Sequence, residues 1–153
     1  RAEVALLGED AGVFADGSFI FAQRYCHDLE KWKKLKVDAQ QQVIGRTKLE
    51  SIELDEDVQP ENSHVSRTVV EDDTGNEMEI LRHSLPYGDG KGDQGLFFIA
   101  YTKDLSIIDA MLERMFGTSG DGIHDRLLHF VTALDGAYYF APSEELLEEV
   151  LED

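Results

Sequence analysis

Apolar side chains recur along this chain with two periods, and these periods separate strands from helices. In segment 18–25, aromatic residues fall on one parity, which is typical of a strand. In the following segment, 26–35, Leu29, Trp32 and Leu35 recur at three-residue steps, which places one apolar stripe on a helix. A strand followed by an amphipathic helix is therefore the first clear prediction.

The remaining apolar runs continue this alternation. Asp28, Asp38 and Asp104 stand where a carboxylate would begin a helix, and Gly45 and Gly117 stand where a helix would end. Further strands are predicted at 65–70, 77–85, 96–101 and 136–141, and further helices at 39–44, 105–116, 123–130 and from Ser143 onward.

The order of these elements predicts a fold class. Residues 72–76 predict a tight turn, and Pro86 is expected to end the strand before it. The major elements then run β-α-β-β-α-β, with a double helix in the first crossover and extra turns. This order predicts one α+β domain over residues 1–153 with a ferredoxin-like fold, an antiparallel sheet with helices on one face.

Composition and charge narrow the class of protein. The chain has 153 residues, of which 42% are apolar and 30% charged, as expected for one packed domain. Its net charge is −18, because 32 Asp and Glu outnumber 14 Lys and Arg. That charge argues against nonspecific binding to nucleic acid or to an anionic membrane. No apolar run approaches the roughly 18 residues of a membrane-spanning helix.

The single cysteine indicates the cellular compartment of the protein. The first residue bears on whether the sequence is a complete chain. Cys26 is alone, which argues against a disulfide framework and a Cys-based zinc site and fits a cytoplasmic or encapsulated protein. The chain starts at Arg1 rather than Met and shows no leader, so we expect a piece of a longer protein.

Among the five histidines, His64 has the most suggestive position. It follows the long acidic loop 47–63 and precedes the β-branched run 65–70, predicted above as a strand. That position could aim an imidazole from the sheet edge into a cavity, and one axial histidine is what a haem iron needs, because the porphyrin supplies the other ligands. The alternative is a surface histidine or one satisfied in the core.

A second candidate lies on the strand predicted before Pro86. Arg82 and Ser84 share one face of it, and Leu81 and Leu85 share the other. An inward Arg82 would need an anionic partner. The alternative is an edge strand with a solvated polar face. The aromatic strand 96–101 could likewise form the wall of a flat ligand site or a plain hydrophobic core.

At this point an ordered set of motifs resembles the C-terminal half of a dye-decolourising haem peroxidase. The runs are Gly17-Ser18-Phe19, Tyr25 to Trp32, Val43 to Lys48, Asn62-Ser63-His64-Val65, Ile80 to Gly88 and Phe97 to Tyr101. The resemblance covers essentially the whole chain, and the Arg-His-Ser-Leu-Pro-Tyr-Gly form resembles the intracellular bacterial branch. It implies the second of two ferredoxin-like halves, the first being absent here.

The resemblance implies haem b as cofactor and assigns residues on one side of it. His64 would be the proximal iron ligand, and Asp125 the acidic partner of its other ring nitrogen. Arg46 and Lys48 would contact the haem propionates.

On the distal side, the resemblance assigns Arg82 as the distal arginine and Ser84 as a polar neighbour that hydrogen-bonds water or peroxide. Phe98 would line the pocket. The family's Gly-x-x-Asp-Gly motif would fall upstream of this chain, and Asp16-Gly17 matches a later position instead.

The implied activity is oxidation of dyes, phenols or similar reductants by hydrogen peroxide through a ferryl intermediate. We expect a cytoplasmic homo-oligomer that binds neither nucleic acid nor a membrane. Three alternatives stay open at this point. One is a haem-binding or iron-handling protein that uses the same His64, another is a non-enzymatic ferredoxin-like interaction module, and the third is a related haem enzyme of the same doubled architecture.

Overall fold

The computed structural model describes residues 2–88 and 92–152, and its helix and strand content confirms the α+β class. The helices are α1 (Ala2–Ala5), α2 (Leu29–Lys33), α3 (Val37–Ile44), α4 (His64–Thr68), α5 (Leu105–Phe116) and α6 (Glu144–Glu152). The strands are β1 (Ser18–His27), β2 (Leu81–Arg82), β3 (Leu85–Gly88), β4 (Gln94–Thr102) and β5 (Val131–Ala141), and 3-10 helices span Glu9–Phe14 and Arg126–His129. Within the described residues, no helix has the length and apolar character needed to cross a membrane.

The strands form one sheet in the order β2-β4-β1-β5, and β3 also pairs with β4. β1 therefore lies between β4 and β5, as the predicted ferredoxin-like order requires. Both β2 and β3 run antiparallel to β4, with Arg82 opposite Ala100 and Leu85 opposite Phe97. The step from Arg82 to Leu85 matches the step from Ala100 to Phe97, so β2 and β3 keep one register across the break.

The chain forms two compact units. The first comprises Arg1–Tyr25, Glu79–Ile107 and Ala133–Asp153, and the second comprises Cys26–Met78 and Ile108–Thr132.

Aromatic packing in the first unit is centred on Phe21. This residue is buried, and its ring lies 6.1 Å from that of Phe98 and 5.1 Å from that of Tyr138. The three side chains come from β1, β4 and β5. The parity of 18–25 correctly predicted a strand, and Phe21 and Tyr25 on that parity are buried.

The second unit has its own apolar core. Val43, Ile108, Met115 and Phe130 are buried there. Trp32, from the predicted helical stripe, packs edge-to-face on Phe130 with ring centroids 5.2 Å apart. Offset or edge-to-face contacts of this kind add about 1 kcal/mol to the burial of the rings.

The prediction of a strand at 65–70 is wrong, because α4 occupies His64–Thr68. The hydroxyl of the buried Ser63 accepts a hydrogen bond from the Ser66 backbone N–H and caps this helix. Such a cap contributes about 1 kcal/mol. That is comparable with the whole range of β-strand preferences, so the β-branched composition does not decide the local structure.

Other predicted boundaries also need correction. Lys36, not Asp38, occupies the N-cap position of α3, and Asp38 lies in its first turn. Pro86 does not end a strand but lies inside β3, opposite Leu96. Because β3 pairs only with β4 among the described strands, Pro86 can lack a donor on the open side. The helix predicted at 123–130 shortens to the 3-10 helix Arg126–His129.

Most other boundary signals are confirmed. The Asp28 carboxylate accepts the Lys31 N–H at the start of α2, and Asp72 accepts the N–H groups of Thr74 and Asn76 in the predicted turn. The Thr74 hydroxyl also donates to Asp72. This bond first, and then the bonds from the N–H groups, hold the pKa of Asp72 far below its usual value. Gly45 ends α3 in a left-handed conformation, with φ 92°.

Gly95 provides a test of the sheet. A Cβ atom at this position would overlap the Tyr25 carbonyl oxygen and lie 2.9 Å from the Tyr87 hydroxyl. That hydroxyl donates to the same carbonyl at 3.0 Å. We expect Gly95→Ala to lower the free energy of unfolding of the full-length protein by about 3 kcal/mol, because the backbone must move. The measurement is urea denaturation followed by circular dichroism.

The matched control is Gly75→Ala. Gly75 has φ 83° but open space around it, so only the backbone penalty of about 1 kcal/mol for a left-handed alanine is expected. Equal losses for the two variants would contradict the close approach at Gly95.

Candidate functional site

The start of α4 is fixed by close packing against the end of α3. Gly45 adopts its left-handed conformation where a Cβ atom would come within 2.9 Å of both Ser63 Oγ and Val65 Cβ. Glycine is therefore required there both by the backbone angle and by the space. Since Ser63 caps α4 and His64 follows directly, this contact sets where His64 begins the helix.

His64 and Asp125 form a close side-chain contact in the second unit. His64 Nδ1 lies 2.6 Å from Asp125 Oδ2. The His64 side chain is 26% exposed and that of Asp125 is 0% exposed. The sequence predicted this pairing through the family resemblance, and the structure brings the two side chains together.

Asp125 is held by its own backbone and by its second carboxylate oxygen. Its N–H donates to the Met115 carbonyl at 2.8 Å, and its Oδ1 accepts the Leu127 N–H at 2.8 Å. The second bond caps the 3-10 helix Arg126–His129. The Arg126 N–H donates to the Asn62 carbonyl at 2.9 Å, two residues before His64. Both oxygens of the buried carboxylate are thus engaged.

This geometry fixes which nitrogen of His64 is available as a ligand. An ionised carboxylate can only accept, so in the neutral imidazole Nδ1 carries the proton and Nε2 keeps its lone pair. Within the described residues no hydrogen bond to Nε2 is found. The carboxylate also makes the imidazole a stronger donor, as in many metal-bound histidines.

The donor set fits haem better than a bare metal ion. Within the described residues no group of three or more His, Cys, Asp or Glu side chains is placed to hold a metal. A half-buried histidine with one free nitrogen and a carboxylate behind it would suit an iron whose remaining protein-independent ligands come from a porphyrin.

The residues predicted to contact haem propionates have protein partners. Arg46 Nη2 lies 2.8 Å from Glu53 Oε1, and Arg46 Nη1 donates to the Ser51 carbonyl at 3.0 Å. Lys48 Nζ donates to Gln40 Oε1 at 2.9 Å. Both cations are therefore engaged within the second unit.

The predicted distal residues lie in the first unit. Arg82 is exposed at the end of β2, and no ion pair with a described residue is found for it. The regular strand stops after Arg82, but the unchanged register aligns Ser84 with Phe98 on β4. The half-buried Phe98 packs on Phe21. An exposed arginine on an edge strand needs no internal anion, which also agrees with the solvated alternative.

The sequence reasoning missed Arg67. This arginine is buried, with 3% of its surface exposed, and lies one helical turn after His64 on α4. The three-residue spacing would have placed the two side chains on neighbouring positions of one helix face. The strand prediction for 65–70 hides this signal, because residues three apart on a strand lie on opposite faces.

A close pair of histidines was also missed. His124 Nε2 and His129 Nε2 lie 3.0 Å apart, on either side of Asp125 in sequence. One ring must donate and the other accept, so the pair closes the short segment that carries Asp125.

Comparisons of sequence and of structure both match this chain to dye-decolorizing peroxidases. The family model described as Dyp-type peroxidase, C-terminal, matches residues 1–146. The dye-decolorizing peroxidase of Mycobacterium tuberculosis is 41% identical over 143 residues, which is 93% of this chain and 43% of that protein.

Two solved structures illustrate the structural similarity. A variant of DypB from Rhodococcus jostii RHA1 in complex with heme has a TM-score of 0.91 and 44% identity, covering 96% of this chain and 48% of that one. The encapsulated DyP-type peroxidase from Mycobacterium smegmatis has a TM-score of 0.91 and 43% identity, covering 95% of this chain and 48% of that one. The chain therefore spans about half the length of the relatives it matches.

Substitution of Asp125 tests whether its buried carboxylate stabilises the fold. We expect Asp125→Ala to lower the free energy of unfolding by about 3 kcal/mol, since an N-cap contributes about 1 kcal/mol and an unsatisfied buried donor costs about 1–3 kcal/mol. The measurement is urea denaturation of the haem-free full-length protein. Asp135→Ala is the control, because Asp135 is 59% exposed and its pair with Arg24 is 3.5 Å long. A loss no greater than that of the control would show that Asp125 does not hold this segment.

Proposed function

The chain belongs to the Dyp-type peroxidase family, of which it matches the C-terminal part, and from this premise we propose that the full-length protein is a haem peroxidase. Its oxidant is hydrogen peroxide, and its reductants are dyes, phenols or similar compounds. We take the cofactor to be haem b. A relative 44% identical to this chain has been solved in complex with heme, which supports the cofactor class.

The observation that carries this proposal is the contact between His64 and Asp125. With Nδ1 donating to a buried carboxylate 2.6 Å away, His64 offers Nε2 as an axial ligand in a fixed tautomer. The Asp125 carboxylate makes His64 a stronger electron donor, and as an iron ligand His64 would favour peroxide chemistry over reversible binding. Haem, when bound, supplies the redox chemistry by which peroxide oxidises the reductant.

We assign Arg82 the role of the distal arginine. An arginine side chain does not readily act as a base in proteins, so we do not assign that role to Arg82. It can stabilise the negative charge that develops on the leaving oxygen of peroxide, a contribution of about 3 kcal/mol by analogy with oxyanion-hole donors. The absence of an ion pair to Arg82 among the described residues leaves its donors available for that purpose.

Ser84 and Phe98 complete the distal assignment. Ser84 lies between β2 and β3, and the register that these two strands share on β4 aligns it with Phe98, so a hydroxyl and an aromatic ring would line the same part of the sheet edge. Ser84 would hydrogen-bond water or peroxide, and Phe98 would exclude bulk water from it.

Arg46 and Lys48 are proposed to contact the haem propionates. Each already has a protein partner, Glu53 for Arg46 and Gln40 for Lys48. An arginine has five N–H donors, so Arg46 can keep Glu53 and still reach a second anion. Lys48 has three donors and a neutral partner, which leaves its charge for a propionate.

Peroxide must also lose a proton from one oxygen and gain it on the other. Acid–base catalysis of this kind contributes about 10²–10⁴-fold. None of the distal residues assigned in this chain is a suitable base. We propose that the base lies in the part of the protein that corresponds to the unmatched half of the relatives.

We propose a cytoplasmic homo-oligomer that binds neither nucleic acid nor a membrane. The net charge of −18 supports the exclusion of both polyanions. The Mycobacterium smegmatis relative is described as encapsulated, which supports a location inside the cell for this chain as well.

Substitution of His64 tests its assignment as the iron ligand. We expect His64→Ala in the full-length protein to abolish axial ligation of the haem iron, because no other described side chain combines a free nitrogen with a buried carboxylate behind it. The absorption spectrum of the haem, with electron paramagnetic resonance of the iron, measures this. His83→Ala is the control, since His83 lies in the first unit and has no assigned role. Unchanged iron coordination in His64→Ala would refute the ligand assignment.

Substitution of Arg82 tests its assignment as the distal arginine. We expect Arg82→Leu to retain haem but to react with hydrogen peroxide about 10²-fold more slowly, through loss of charge stabilisation. Stopped-flow absorption after mixing with peroxide gives the rate, and Arg24→Leu is the control. A wild-type rate would remove Arg82 from the mechanism.

If the wild-type holoprotein bound haem but oxidised no dye or phenol, a haem-handling function would replace the peroxidase.

A further inference from the structure

We propose that Arg67 is a positioning residue, which acts with Asp121 to hold the segment carrying Asp125 against α4. Its consequence for catalysis rests on the proposed function. The tether itself, by which we mean the contact of Arg67 with Asp121, involves protein residues only and does not depend on haem.

One ion pair and one hydrogen bond join the same two segments. Helix α4 carries His64 and, three residues later, Arg67. The segment after α5 carries Asp121 and, four residues later, Asp125. Arg67 Nη2 lies 2.8 Å from Asp121 Oδ2, and His64 Nδ1 lies 2.6 Å from Asp125 Oδ2. A segment held at two points against one helix has far less freedom than one held only at the histidine.

The bonding of Arg67 explains why it can act as an anchor. Its side chain is 4% exposed, and a buried guanidinium is expensive unless its donors are paired. Nε donates to the Arg114 carbonyl at 2.9 Å, and Nη2 donates to Ser119 Oγ at 3.3 Å as well as to Asp121. All of these partners belong to the last turns of α5 or to the segment after it. Arg67 can satisfy its donors only if that segment stays in place.

Asp121 orders the same segment internally. Its Oδ1 accepts the Ile123 N–H at 2.9 Å and the Ser119 hydroxyl at 3.1 Å, while Oδ2 faces Arg67. The Ile123 N–H, and after it the Arg67 guanidinium, lower the pKa of Asp121 below its usual value. Asp121 therefore links the anchor to a backbone position only two residues before Asp125.

Arg114 supports the same contact from the opposite direction. Its Nη2 donates to the Ser66 carbonyl on α4 at 2.7 Å. Helix α4 and the end of α5 thus exchange hydrogen bonds both ways, from Arg67 to the Arg114 carbonyl and from Arg114 to the Ser66 carbonyl. The position of Asp125 relative to His64 follows from this clamp as well as from their own hydrogen bond.

The first experiment measures hydrogen–deuterium exchange in the haem-free full-length protein. The variants are Arg67→Met, which keeps side-chain volume without charge, and Asp121→Asn, which keeps the shape of an exposed side chain and should not impair folding. Arg24→Met is the control, because it removes an ion pair in the first unit that is 47% exposed on the arginine side.

We expect amides of residues 123–129 to exchange at least about tenfold faster in Arg67→Met, with a smaller effect in Asp121→Asn and none in Arg24→Met. Amides of β4 should exchange as in the wild type, since a purely structural loss would raise both sets by one factor. The double variant Arg67→Met, Asp121→Asn should exchange no faster than Arg67→Met alone, because both remove one tether. Unchanged exchange at 123–129, a uniform increase, or an additive double variant would each overturn the tether.

The second experiment measures the iron–histidine stretching frequency of the ferrous holoprotein by resonance Raman spectroscopy. We expect Arg67→Met to shift it in the same direction as Asp125→Ala but less far, because the carboxylate would hold His64 less firmly. No shift in Arg67→Met, with a clear shift in Asp125→Ala, would overturn the positioning role. Failure of the wild-type protein to bind haem would instead overturn the proposed function and leave the exchange result valid.

Discussion

One hydrogen bond, from His64 Nδ1 to the buried carboxylate of Asp125, connects the fold of this chain to its chemistry. It selects the tautomer of His64 and leaves Nε2 with a lone pair. It also satisfies one oxygen of a carboxylate that would be costly to bury alone. Its two members lie 61 residues apart in sequence, so the structure around them has to bring them together. The cap by Ser63, the left-handed Gly45 and the capped turn after Asp125 each fix one side of this contact.

The sequence predicted the regular elements better than their boundaries. Aromatic parity identified β1, three-residue spacing identified α2, and glycine identified the ends of α3 and α5, because each of these signals reflects a local physical preference. The β-branched run after His64 misled, since a buried N-cap residue, Ser63, begins a helix there. Pro86 misled in the same way. Its effect depends on whether the strand is at an edge, and only the completed sheet decides that.

The candidate site was predictable only in part. His64 stood out by its position after an acidic loop, but its pairing with Asp125 came from a family resemblance, not from spacing. Arg46 and Lys48 were expected near propionates, and their contacts with Glu53 and Gln40 were not foreseen. Arg67 was not predicted as part of the site. A buried arginine is recognised by its partners, and those partners lie about 50 residues later in the chain.

The central claim is that His64 binds the haem iron through Nε2 while Asp125 holds Nδ1. The most direct test is a crystal structure of the haem-loaded full-length protein. The account predicts a bond from His64 Nε2 to iron, with Nδ1 still at hydrogen-bond distance from Asp125. Iron bound by another side chain, or a His64 ring turned away from Asp125, would contradict it.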